Sequence, residues 1–198
     1  LVYIKKILTI GIPSGLENGM FQFGKILVQS LVATFGTYAI AANAVSNNLA
    51  QMQIIPGMAM SLAMVTVVGQ CVGANDYKQA KYYIKKLLKI TYLATISAVI
   101  LVLLATPTIL KLYSLSEQTI DLAYQCIFLH GFFAATIWPA SFTFPNALRA
   151  SNDAKFTMVV SASSMWIFRF CFSYVLGQHL GLGLIGVWLA MFVDWIVR

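Results

Sequence analysis

Six long apolar segments, separated by short polar connections, follow one another along the chain. A helix needs roughly 20 apolar residues to cross a bilayer core about 30 Å thick, and most of the segments have that length. We therefore predict six membrane-spanning helices at about residues 7–35, 40–68, 87–105, 120–144, 156–176 and 184–197.

All five prolines lie within or beside these segments, and four of them predict departures from straight helices. Pro56 is expected to bend the second helix. Pro107 is expected to end the third, because the residue before a proline disfavours the helical conformation. The fourth predicted helix contains Pro139 and ends at Pro145.

Composition agrees with a membrane location. Of the 198 residues, 60% are hydrophobic and only 10% are charged, and the mean hydropathy is +0.81. A soluble domain has roughly 25% charged residues. The sequence therefore predicts an all-α membrane protein, a bundle of six transmembrane helices in a lipid bilayer.

The net charge of +7 indicates membrane topology, and we expect no nucleic acid partner. Ten of the thirteen basic residues lie before the first helix, in every second connection or after the last helix, while the alternate connections hold only Lys111. Because cytoplasmic connections are enriched in lysine and arginine, we predict a multi-pass protein of the cell membrane with both termini in the cytoplasm. The ten residues are Lys5, Lys6, Lys78, Lys81, Lys85, Lys86, Lys89, Arg149, Lys155 and Arg198.

Segment 76–90, between the second and third helices, is amphipathic. Tyr83, Leu87 and Ile90 share an apolar face, and five lysines lie between them and around them. This pattern is typical of a helix that lies along the inner membrane surface before the third span begins. Its role is either a topological anchor or lipid binding and gating.

Polar side chains form a stripe along the first predicted helix. Asn18, Gln22, Lys25 and Gln29 are spaced so that they share one face of a helix with 3.6 residues per turn. Hydrocarbon offers no hydrogen bonds to such a face. We therefore expect this face to lie against protein or water.

The second predicted helix carries a similar row, formed by Asn43, Asn47 and Gln51. Single amides in membranes commonly join helices through hydrogen bonds worth about 0.6 kcal/mol each. Two aligned rows favour another interpretation, in which both helices line one hydrated cavity. The seven residues of the two rows are our candidates for coupling or substrate contact.

Three further candidates, Glu17, His130 and Arg169, are ionisable residues within apolar segments, where charges are rare and usually functional. Glu17 lies about one turn beyond Pro13, which frees a backbone carbonyl, and is a candidate for ion coupling or substrate contact; the alternative is a static ion pair or partial solvation near the interface. His130 is either a hydrogen-bonded core residue or a proton switch. Arg169 either tethers helices or extends toward the interface.

The motifs of catalytic and metal sites are missing from the sequence. It has no nucleophile elbow, no phosphate-binding loop and no metal-ligand spacing, so we expect no enzyme, no catalytic residues, no metal and no cofactor. Cys71, Cys126 and Cys171 lie far apart and are interpreted as packing residues.

Three stretches together carry a family resemblance. They are GIPSGLEN in the first helix, FGTYAIAANAV at the next turn, and IIPGMAMSLAMVTVVGQCVGANDYKQAKYY, in which Gly69 and Gly73 are expected to allow close approach and a tight exit from the membrane. With the closing GLGLIGVWLAMFVDWIVR, they resemble the multidrug and toxic compound extrusion (MATE) transporters. The match is to the C-terminal six-helix lobe and extends over essentially the whole chain.

The resemblance implies one lobe of a twelve-helix transporter, with the N-terminal lobe of the same protein as its partner and both ends of this chain inside a longer sequence. It also implies an antiporter that exports small organic, often cationic compounds in exchange for H⁺ or Na⁺. In one branch of the family, carboxylates on the first and fourth helices of this lobe bind the coupling cation. Here Glu17 is about a turn nearer the proline, and the fourth helix offers His130 and no carboxylate in its middle.

Two alternative functions remain open from the sequence. The first is a flippase for lipid-linked saccharides in the same superfamily, which usually lines its cavity with several cationic side chains; here only Lys25 and Arg169 are available. The second is a membrane scaffold that transports nothing and uses its amides for fixed helix contacts.

Overall fold

The computed structural model describes residues 2–151 and 154–198, and the side chains of all of these except 2, 3, 5, 6, 9, 10, 13, 14, 17 and 154. Every regular element in the described residues is a helix, as predicted. The elements are α1 (Val2–Ala33), α2 (Thr37–Gly73), α3 (Tyr77–Leu112), α4 (Glu117–Thr136), a π-helical turn (Pro139–Thr143), α5 (Phe144–Ala150), α6 (Ala154–Ser164), a π-helical segment (Met165–Cys171), α7 (Phe172–Tyr174), a second π-helical segment (Val175–His179) and α8 (Gly183–Val197).

A tight turn joins α2 to α3. Asn75 takes up a positive φ of 58°, a conformation that asparagine tolerates better than most residues. Asp76 then caps α3 by accepting a hydrogen bond from the backbone N–H of Gln79 at 3.0 Å. The close approach predicted at Gly69 and Gly73 was wrong, because a Cβ atom at either position would meet nothing within 4 Å.

Helix α3 differs from its prediction at both ends. The lysine-rich segment is the first part of one unbroken helix, Tyr77–Leu112, and not a separate surface helix, because no glycine or proline interrupts it before Pro107. Pro107 does not end the helix either. A proline removes one backbone N–H from the helix, and the chain continues helically through it, with the Thr106 hydroxyl donating to the Val102 carbonyl at 2.7 Å.

The fourth predicted helix bends by 60° between α4 and the helical turns that begin at Pro139. Pro139 has no N–H, and its ring collides with the carbonyl four residues earlier. Just before the bend, Trp138 packs against Gly57 of α2, where an added Cβ would lie 2.2 Å from the indole ring. Pro145 does not end this helix; it occupies the first turn of α5, where a missing N–H is tolerated.

The fifth predicted helix is a continuous rod, Lys155–His179, in which α-helical and π-helical turns alternate. Helix α8 packs closely against this rod, since a Cβ atom at Gly186 would lie 2.6 Å from the backbone of Leu176. The hydroxyl of Ser164 also donates to the backbone carbonyl of Asp194 at 3.1 Å. The rod and α8 therefore form a tightly joined pair.

The main apolar core lies between α1, α2, α3, α4 and α8 and includes Leu49, Ile127 and Phe192. A smaller cluster lies beneath the turn between α2 and α3. Cys71 and Cys126 are buried in these two clusters, as expected of packing residues, whereas Cys171 is exposed.

Three helices in the described part of the chain are long and apolar enough to cross a membrane: α2, α3 and the rod Lys155–His179. The bent pair of Glu117–Thr136 and Pro139–Ala150 makes a fourth if it is one span. Helix α8 is apolar but has only 15 residues, and α1, with 32 residues, carries the polar stripe. The count of six spans remains a prediction.

Candidate functional site

Two adjoining half-open cavities lie between α1, α2, the rod and α8, with volumes of about 650 Å³ and about 500 Å³. We call them the first and second cavity, and together the central groove. Helix α4 and the turns after Pro139 complete the wall of the second cavity. The side chains that line both cavities are Gln22, Lys25, Asn47, Gln51, Arg169, Trp188 and Met191.

The two polar rows that the sequence predicts lie together in this groove. Gln29 and Asn43 line the first cavity, Asn18 lines the second, and the remaining four row residues line both. The structure also brings the two weaker candidates here, because Arg169 lines both cavities and His130 the second. The roles of these residues remain predictions.

Asn43 joins three helices at one end of the groove. Its side-chain N–H donates to Gln29 Oε1 at 2.7 Å, and its Oδ1 accepts from the indole N–H of Trp188 at 3.1 Å. Asn43 is buried, whereas Gln29 and its neighbour Asn47 are exposed. Asn43 therefore links α1, α2 and α8, while other residues of the two rows remain exposed to the groove.

His130 is 3% exposed. Its Nδ1 is 2.5 Å from the side-chain oxygen of Gln53, and its ring makes edge contacts with Trp188 and Trp195 at centroid distances of 5.7 and 5.3 Å. Of the two interpretations from the sequence, this geometry favours the hydrogen-bonded core residue.

Cationic side chains converge on one aromatic ring in the groove. Lys25 Nζ lies 5.0 Å from the centroid of the Phe21 ring, and the Cζ atoms of Arg169 and Arg198 lie 5.3 and 5.5 Å from it. These are cation–π distances. Arg149 also lines the second cavity, and no carboxylate among the described side chains lines either one. The described wall of the groove is therefore cationic.

Asp194 is a buried carboxylate that the sequence interpretation missed. It lies in α8 with no exposed surface; its Oδ1 accepts from the Ser164 hydroxyl at 2.5 Å, and its Oδ2 has no hydrogen-bond partner among the described residues. It interacts electrostatically with Arg169. The sequence signal that could have identified Asp194 is its position as a lone acid inside the apolar segment 184–197.

The aromatic wall was missed as well. Trp138, Phe142 and Trp195 line the second cavity beside Trp188 and Phe21, and Trp138 stacks on Phe142 at 5.3 Å. Aromatic residues are frequent in apolar segments, so the sequence offered no signal for this wall beyond the position of Phe21 four residues before Lys25.

Glu17 and the expectation that no metal binds are the two remaining predictions for this site. The side chain of Glu17 lies outside the described residues, so its surroundings are not assigned. Among the described residues, no three His, Cys, Asp or Glu side chains gather as metal ligands.

Comparisons with known proteins agree with this architecture. The MatE family model matches residues 13–175. A probable multidrug resistance protein NorM of Thermotoga maritima is 24% identical over 98% of this chain and 42% of its own length. Solved structures of a multidrug resistance MATE family transporter match with TM-scores of 0.86 (outward-facing) and 0.82 (inward-facing), at 19% identity, over 98% of this chain and 44% and 45% of theirs. The chain thus spans less than half the length of these relatives, has the fold of one lobe of a MATE transporter, and belongs to the MatE family.

Proposed function

We propose that this chain is the C-terminal lobe of a transporter that exports amphipathic organic compounds, often cationic, in exchange for H⁺ or Na⁺ by alternating access. The observation that carries the proposal is the central groove, in which two rows of amides face an aromatic wall. Apolar walls with a few polar groups are typical of small-molecule sites. Scattered amides suit ligands of several shapes.

Alternating access is largely a rigid-body movement of one lobe against the other. The lobe matches an outward-facing and an inward-facing structure about equally well, with TM-scores of 0.86 and 0.82. This similarity supports movement of the lobe as a nearly rigid body. The close packing of α8 against the rod at Gly186 agrees with such rigidity.

A carboxylate would pair with the positive charge of a cationic substrate, and none of the described side chains that line the groove is a carboxylate. Glu17 on α1 and acids of the N-terminal lobe are the candidates for this contact and for ion coupling. We further propose a cell-membrane location with both termini in the cytoplasm, on the basis of the asymmetry in basic residues.

A second candidate function is the flipping of lipid-linked saccharides. The observation that favours it is the basic lining of the second cavity, where Arg149 and Arg198 join Lys25 and Arg169. Such a substrate stays anchored in the membrane by its lipid. A flippase would therefore show no ion-driven export of a free organic cation.

The deciding experiment places the full-length transporter in liposomes and follows export of ethidium under an imposed H⁺ or Na⁺ gradient. We expect export that stops when the matching gradient is collapsed with an ionophore. Export with neither gradient, or none with both, would contradict the antiport proposal.

Cysteine accessibility separates a transporter from a scaffold. After the native cysteines are replaced, single cysteines at Gln22 and Asn47, both exposed in the groove, should react with a small water-soluble thiol reagent. A cysteine at Leu31, which is 2% exposed, is the matched control and should stay protected. Equal protection at all three positions would favour the scaffold.

A further inference from the structure

We propose that the central groove contains an anion-binding subsite, formed by Lys25 and Arg169 around Phe21, which holds the carboxylate, sulfonate or phosphate group of an amphipathic substrate. The inference rests on the proposed transport function and adds to it a substrate class, organic anions and zwitterions. It does not follow from the family resemblance, which implies cationic compounds.

The two cations reach the same place from different elements. Lys25 belongs to α1 and Arg169 to the π-helical segment Met165–Cys171, yet both lie within 5.3 Å of the centroid of one ring and both line the two cavities. Like charges repel each other most strongly where water is scarce, and a cation–π contact returns only about 0.5–2 kcal/mol. A bound anion would relieve the repulsion between these two side chains.

The buried carboxylate of Asp194 does not occupy the subsite. Asp194 is fully buried and lines neither cavity, although it interacts electrostatically with Arg169. Asp194 therefore leaves the groove side of Arg169 open to a ligand. Arg198 and Arg149 have further interactions of their own, so the proposal depends only on Lys25 and Arg169.

The surroundings of the two cations suit an oxyanion. The guanidinium group of Arg169 offers a planar set of donors that matches a carboxylate or phosphate. Side-chain amides of Gln22, Asn47 and Gln51 line both cavities beside it, and each amide supplies N–H donors. The aromatic wall of the second cavity would cover the apolar part of the same ligand.

Binding of two matched dyes tests the subsite. 8-Anilinonaphthalene-1-sulfonate carries a sulfonate, and N-phenyl-1-naphthylamine has the same ring system without it. Each is titrated by calorimetry into the full-length transporter in lipid nanodiscs, with empty nanodiscs subtracted. We compare wild type with Lys25→Gln, the charge-preserving Lys25→Arg, and Lys111→Gln, which removes an exposed lysine at the end of α3 away from the groove.

We expect Lys25→Gln to weaken binding of the sulfonate dye by about tenfold or more, because one charge-assisted hydrogen bond is lost. The same variant should change binding of the uncharged dye by less than about twofold. Lys25→Arg should retain most of the affinity for the sulfonate dye, and Lys111→Gln should leave both dyes unaffected. Equal weakening of both dyes, or unchanged binding of the sulfonate dye, would overturn the proposal.

Competition in the wild-type protein gives a second measurement if Lys25→Gln fails to accumulate. Benzenesulfonate should displace the sulfonate dye, and uncharged benzenesulfonamide should displace it far less; equal displacement would also refute the subsite. Because equilibrium binding needs no ion gradient, a failure of ion-driven ethidium export leaves these results interpretable. The two proposals therefore fail separately.

Discussion

The Asn43 contact allows a quantitative test of how the groove is held together. Asn43→Leu keeps the approximate size of the side chain and removes both of its hydrogen bonds, to Gln29 and from Trp188. Trp188 is 3% exposed, so its indole N–H would lose its acceptor inside the protein. Gln29 is exposed and can turn toward water.

The expected destabilisation follows from these two situations. A buried donor without an acceptor costs about 1–3 kcal/mol, and one interhelical hydrogen bond in a membrane protein contributes about 0.6 kcal/mol. Asn43→Leu should therefore lower the free energy of unfolding by about 1.5–3.5 kcal/mol. Trp188→Phe removes the donor and leaves the buried Asn43 Oδ1 without it, so in that background Asn43→Leu should cost about 0.6 kcal/mol or less.

The assay is a double-mutant cycle on the full-length transporter, unfolded by increasing SDS in mixed micelles and followed by circular dichroism. Asn48→Leu is the control, because Asn48 also lines the first cavity but is exposed; its effect should stay within about 0.5 kcal/mol. If Asn43→Leu costs the same in both backgrounds to within about 0.5 kcal/mol, the hydrogen bond to Trp188 does not stabilise the groove and the reasoning fails.

Three other predictions test topology, coupling and packing. Reporter fusions should read cytoplasmic at Asn75 and external at three other sites, and reversal at two or more sites would refute the topology. The external sites are Thr37, Ser114 and Gly181. Glu17→Gln in the full-length transporter should preserve membrane expression and abolish most drug efflux, whereas Glu17→Asp should retain partial activity. Wild-type efflux by Glu17→Gln at every pH tested would show that the charge is structural or redundant. Gly186→Ala should destabilise the lobe by about 1–3 kcal/mol through overpacking, because its Cβ would lie 2.6 Å from the Leu176 backbone. The control Gly69→Ala meets no neighbour and should be neutral or stabilising by up to about 1 kcal/mol. Thermal unfolding of the two variants is the measurement.

Sequence reasoning was incomplete at three prolines, which are Pro56 of α2, Pro107 of α3 and Pro139 of the bent helix. Each predicts a local disturbance, because each removes one N–H from the helix. Pro56 and Pro107 nevertheless lie inside continuous helices, whereas the helix is broken near Pro139, with a bend of 60°. The difference depends on neighbours such as Gly57, which admits Trp138 beside the bend, and such neighbours come from distant parts of the chain.

Residue spacing is enough to establish which side chains share a face. Once α1 is a helix, Asn18, Gln22, Lys25 and Gln29 must point in similar directions, because side-chain direction depends only on spacing along the helix. The same holds for the row on α2. Apolar length and the polar connections likewise determined the all-α class and most of the helix positions.

The partners of those faces depend on how the helices pack. Asn43 contacts Gln29, 14 residues away, and Trp188, 145 residues away, and these contacts depend on how α1, α2 and α8 rotate and cross. The same packing buries Asp194 near Arg169 and brings Arg169 to the ring of Phe21. Helical periodicity fixes the direction of a side chain around the axis of its own helix, but it does not fix the position of the neighbouring helix. The groove and its charge therefore form only when the helices pack.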